Sequence, residues 1–125
     1  MRVLIGDGQK DVGMSLATLV ERCGHEVVLV AGSGLETIQA YARLEPDVVL
    51  IDYAIPRLNG VVAARMILAK DPGAKIVLVS VAPLPALGDE TTKFGILQKP
   101  VELNKLYAAL YDAASHPIER PQTTD

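Results

Sequence analysis

Four apolar β-formers stand in a row from Val48 to Ile51, and the acid Asp52 follows them. A half-buried strand alternates apolar and polar residues, so an unbroken run predicts burial on both faces. Apolar runs at 2–5, 26–30, 75–79 and 95–98 read as four more strands. Between the runs, apolar positions return at helical spacing instead. Val12, Leu16, Leu19 and Val20 predict a helix over 10–23, and Leu35, Ile38 and Ala42 predict one ending near Arg43. Val61, Ala64, Ile67 and Leu68 mark a third helix, and Leu103, Leu106, Tyr107 and Leu110 a last one reaching about Ala114. Turn chemistry punctuates the pattern: Gly24 stops the first helix, Ser33 is placed to cap the second, Pro46 leads into the central strand, and Asp71-Pro72-Gly73 closes the third helix. Pro83, Pro85 and Gly88 lie between Ser80 and Gly95 and disfavour a long regular helix, so any helix there is expected to be short or distorted.

Strands that alternate with helices, through connections too long for hairpins, require a parallel sheet covered on both faces. The expected architecture is a doubly wound α/β domain over residues 1–115. Residues 116–125 hold two prolines and no periodicity, and are expected to form a flexible tail or the start of a linker.

Composition narrows the function classes. A chain of 125 residues that is 50% hydrophobic makes one domain with a sizeable core. Twelve basic and fifteen acidic residues give a net charge of -3, which provides no electrostatic footprint for nucleic acid or an anionic membrane. The single cysteine, Cys23, excludes an internal disulfide, and with two scattered histidines it cannot build a zinc site. No long apolar N-terminal segment and no run long enough to span a bilayer occur, so a cytoplasmic location is expected.

Open parallel sheets bind their ligands at the C-terminal edge of the strands. Four polar residues end strands there: Asp7, Asp52, Ser80 and Lys99. Asp7, the loop Asp52-Tyr-Ala-Ile-Pro-Arg-Leu-Asn-Gly, Ser80 and the pair Lys99-Pro100 together resemble the receiver domain of two-component response regulators. The resemblance runs from residue 2 to about 115. It implies a flavodoxin-like (βα)5 fold with strand order 2-1-3-4-5. It also implies that Asp52 accepts a phosphoryl group from a histidine kinase or phosphotransfer protein with Mg2+ assistance, that Ser80 contacts that group, and that Lys99 pairs with Asp52 and then with the phosphate. An output domain or target protein would read the change, and homodimerisation is open.

The residue types suit that chemistry in their own right. A carboxylate attacks phosphorus to give an acyl phosphate. Phosphoryl transfer is catalysed mainly by positioning and by cations that neutralise the equatorial oxygens. Mg2+ takes an octahedron of oxygens, part of which Asp7, Asp52 and the backbone carbonyl of Ala54 would supply. Ser80 offers a hydroxyl donor. An enzyme or flavoprotein fits less well: no Ser/His/Asp order and no Gly-rich phosphate loop is present, and Asp7 stands where a flavin phosphate would need bare backbone donors.

Departures from the family pattern leave a second reading open, a degenerate receiver that acts as a phosphorylation-independent interaction module. Gly8 occupies the place of a second acid that ordinarily ligates the metal, so Mg2+ binding is expected to be weak, with Gln9 or Asp11 as candidates to compensate. Glycine there has an alternative reading, the need for a positive φ in the turn. Ile96 replaces the aromatic residue usual at the switch position, and Phe94, two residues earlier, is either its stand-in or an aromatic covering the core. Val81 replaces a small residue and would narrow access to Asp52, and the segment from Ser80 to Lys99 is about one helical turn shorter than usual.

Overall fold

The computed structural model describes residues 1–81 and 94–115. The fourth-helix expectation falls on residues 82–93 and the tail on residues 116–125, both outside the described residues. The elements in chain order are β1 (Arg2–Gly6), α1 (Lys10–Arg22), β2 (Glu26–Ala31), α2 (Gly34–Leu44), β3 (Val48–Asp52), α3 (Gly60–Lys70), β4 (Ile76–Ser80), β5 (Gly95–Gln98) and α4 (Leu103–Ser115). The five strands form one parallel sheet in the order β2-β1-β3-β4-β5, as expected of the doubly wound fold. β3 lies at the centre, which explains its unbroken apolar run.

The two-residue period of a strand divides that run between two cores. Val49 and Ile51 join Leu4, Ile76, Leu78 and Phe94 on the side covered by α2 and α3. Val48 and Leu50 join Val3, Ile5, Val77, Val79 and Leu97 on the side covered by α1 and α4. β2 and β5 are the sheet edges, and most of their residues are only half-buried or exposed.

The helix starts follow local chemistry. Ser33 caps α2, its side chain accepting from the Glu36 amide at 3.0 Å, and the Glu36 carboxylate in turn accepts from the Gly32 amide. Asn59 caps α3 in the same way by accepting from Val62. Two helix faces differ from expectation. α2 buries Gly34, Thr37 and Ala40, while Leu35 and Ala42 are exposed. α4 buries Leu106 and Leu110 but leaves Leu103, Tyr107 and Tyr111 exposed. Small side chains let α2 sit close to β1 and β2, so bulk is not what marks its inner face.

Candidate functional site

Three of the four expected residues, Asp7, Asp52 and Lys99, meet where β1, β3 and β5 end. Gly6 is paired with Ile51, so Asp7 and Asp52 leave adjacent strands side by side. Strand period assigns their faces: Asp7 follows Val3 and Ile5, Asp52 follows Val48 and Leu50, and Lys99 follows Leu97, all on the α1/α4 side. Ser80 follows Ile76 and Leu78 and has the opposite parity. It is buried at 4% exposure, and its carbonyl accepts from the Lys99 amide at 2.7 Å.

The Lys99 ammonium bridges the two acids. It donates to Asp7 Oδ2 at 3.0 Å and stands 3.4 Å from Asp52 Oδ2. The Asp7 side chain is 1% exposed and that of Asp52 is 15% exposed. The second oxygen of each acid is also engaged. Asp7 Oδ1 accepts from the Gln9 amide at 2.9 Å, and Asp52 Oδ1 accepts from the Ala54 amide at 3.3 Å.

The loop after Asp52 is pinned at both ends. The Tyr53 amide donates to Val79 and its carbonyl accepts from Gly60, each at 2.8 Å, while Ile55 is buried against the core. Gly60 is required by space, since a Cβ there would lie 2.6 Å from the Asp52 carbonyl oxygen. Arg57 and Leu58 take positive φ values of 54° and 81°. The Lys99–Pro100 peptide is cis.

Pro56 has a role that local sequence reasoning missed. It packs on Gly8 so closely that a Cβ there would overlap Pro56 Cδ and lie 3.0 Å from Cγ. Gly8 is not among the residues with positive φ, so space and not backbone angle holds glycine at this position. The motif names Pro56, but only the fold sets it against a loop 48 positions away in the chain.

A family model for the response regulator receiver domain matches residues 3–111. The chain belongs to that family. This receiver is 34% identical over 112 residues to the chemotaxis protein CheY of Thermotoga maritima, covering 87% of this chain and 93% of that protein. It is 30% identical to the Listeria monocytogenes CheY, covering 91% and 98%. Among solved structures, a receiver domain from Clostridium thermocellum superposes with a TM-score of 0.82 at 25% identity, covering 90% of this chain and 92% of that one. The CheX-CheY-BeF3-Mg2+ complex from Borrelia burgdorferi superposes at 0.85 and 19% identity, a likeness of fold, over 91% of this chain and 89% of that one. Two-component signalling is therefore the setting of this receiver. Some relatives are protein-glutamate methylesterases, of whose length this chain spans about a quarter. No helix among the described residues is long and apolar enough to cross a membrane.

Receiver domains generally bind Mg2+ at the phosphorylation site. The donors here fall short of that site. No three acidic, histidine or cysteine side chains gather to hold a metal among the described residues. Gly8 brings no side-chain oxygen, Gln9 is tied to Asp7 only through its backbone amide with its side chain exposed, and Asp11 is exposed in the first turn of α1. Mg2+ demands near-octahedral oxygens at about 2.0–2.1 Å. The two carboxylates present already share one ammonium.

The remaining sequence expectations are also placed. Phe94 is 8% exposed within the α2/α3 core, whereas Ile96 is 46% exposed, so Phe94 serves as core cover. Val81 is 73% exposed and lines a cavity of about 540 Å³ between α1 and the β5–α4 connection, with Leu16, Leu19 and Lys99 among its walls.

Proposed function

We propose that Asp52 is the phosphoacceptor of a phosphorelay. The observation that carries this is the contrast between the two acids: Asp7 is sealed at 1% exposure, while Asp52, at the end of the buried central strand, keeps 15% of its side chain open to solvent. An Asp52 carboxylate oxygen attacks the phosphorus of a phosphohistidine on a histidine kinase or phosphotransfer protein. The new P–O bond makes an acyl phosphate as the P–N bond breaks, and its electron pair stays on the imidazole, which takes a proton from water. Lys99 then lies beside the incoming charge, which is where phosphoryl transfer gains most from a fixed cation. The Ser80 hydroxyl turns to a phosphoryl oxygen, and the change is read near Ile96 by an output domain or a target protein.

No step of this scheme runs through Mg2+, whose affinity is low with Gly8 in place of a donor. The chain acts in the cytoplasm as a signalling domain over residues 1–115, catalysing no reaction other than its own phosphorylation and dephosphorylation. It binds neither nucleic acid nor membrane directly. The missing second acid at Gly8 favours one alternative, the phosphorylation-independent interaction module.

Intact-mass measurement after incubation with phosphoramidate, and then with the cognate kinase, tests the reading. The chain gains one phosphoryl group and Asp52→Asn gains none. Equal labelling of both proteins removes Asp52 from the role, and labelling of neither favours the interaction module.

A further inference from the structure

We propose that this receiver works without a divalent cation: Lys99 is the resident cation, and Pro56 packs where the Cβ of a third metal-ligating residue would be. The inference deepens the phosphoacceptor reading and rests on it. Three features of the site carry it.

The first is steric. Any side chain at position 8 would collide with Pro56, and Gly8 has no left-handed φ that would explain the glycine otherwise. A proline ring seated on a bare α-carbon must move before a carboxylate can start from it.

The second is competition. Each of the four oxygens of Asp7 and Asp52 already faces one cationic or amide donor: Gln9 and Lys99 for Asp7, Ala54 and Lys99 for Asp52. A metal ion would have to share these oxygens through their second lone pairs and compete with a fixed ammonium for the same negative charge.

The third is charge. Two carboxylates and one ammonium leave a single net negative charge, a weak attraction for a strongly hydrated ion that gives up water reluctantly. When Asp52 becomes an acyl phosphate its own charge is consumed in the new bond, and Lys99 is released from it to face the phosphoryl oxygens while keeping Asp7.

The test uses the whole chain and two readouts at matched ionic strength. Intact mass is followed after incubation with phosphoramidate in EDTA and in millimolar Mg2+. Melting temperature is followed against Mg2+ for the parent and for the double variant Gly8→Asp/Pro56→Ala, which supplies the missing acid and the room for it. The parent is expected to take the same phosphoryl load in both solutions, with a melting temperature that Mg2+ does not move. The double variant is expected to melt lower without metal, because three carboxylates crowd one crevice, and to climb as Mg2+ binds the folded state alone. Parent labelling that disappears in EDTA and returns with Mg2+, or a parent melting temperature that climbs with Mg2+, overturns the proposal. If neither phosphoramidate nor the kinase labels the parent, the Asp52 reading falls and the proposal of metal-free function falls with it. A climbing Mg2+ melting curve in that case shows separately that the steric argument was wrong. Should the double variant fail to fold, the two parent measurements decide alone.

Discussion

Lys99 lies closer to Asp7, at 3.0 Å, than to Asp52, at 3.4 Å. The more deeply buried acid thus holds the ammonium more tightly, and the more open acid is the looser partner. An ammonium tethered this way can stay in the site whatever happens at Asp52.

This asymmetry predicts different costs for removing each partner. Lys99→Met leaves the buried Asp7 carboxylate without a counter-charge and should cost about 2–3 kcal/mol. Asp52→Asn leaves the Asp7–Lys99 pair standing and should cost less than about 1 kcal/mol. Urea denaturation of both variants at neutral pH compares them, and equal losses would mean that the ammonium is shared evenly.

The contact between Pro56 and Gly8 predicts coupling. Gly8→Ala should destabilise by about 1–3 kcal/mol through overpacking, and Pro56→Ala should relieve most of it. A double-mutant cycle should return an interaction energy of about 0.5–3 kcal/mol. Additive losses would show that the two positions do not meet.

Leu58 pays for its left-handed backbone at φ 81°. Its side chain is 37% exposed and contributes little to the core. Leu58→Gly should therefore raise stability by roughly 0.5–1 kcal/mol, the relief of a positive φ outweighing the extra freedom of the unfolded chain. A lower melting temperature would show that the leucine side chain matters more than its backbone.

Outside the site, His25 adds a pH dependence. Burial, and then the charge of the Met1 amino group 2.8 Å from Nδ1, hold its pKa below the ordinary 6.5. The unfolded chain thus binds more protons just below pH 6.5. Stability should fall as pH drops from 6.5 through the lowered folded-state pKa, and level off beneath it. The imidazole is only partly buried, so the effect is small. His25→Gln should flatten the melting profile across that window, and an unchanged slope would assign it to other groups.

Much of this protein was legible in one dimension. Backbone geometry has only two periods, so apolar runs and helical repeats locate strands and helices wherever packing agrees with them, and alternation between them dictates a parallel sheet. The same logic placed Asp7, Asp52, Ser80 and Lys99 at one sheet edge, because residues ending parallel strands share an edge. The strand ends alone put all four in one crevice, whereas the two packed cores set Ser80 opposite in parity to the other three.

What tertiary structure decided depends on contacts between distant segments, which no local period encodes. Lys99 reaches Asp7 across 92 residues. α2 buries Thr37 and Ala40 in place of its bulkier neighbours because the distance to the sheet, and not side-chain hydropathy, selects what fits. Gly8 is the sharpest case: the sequence shows a missing acid, and only the folded chain shows a proline packed where its Cβ would be. Close packing makes that substitution a matter of tenths of an ångström between two loops, a quantity that exists only once both have folded against each other.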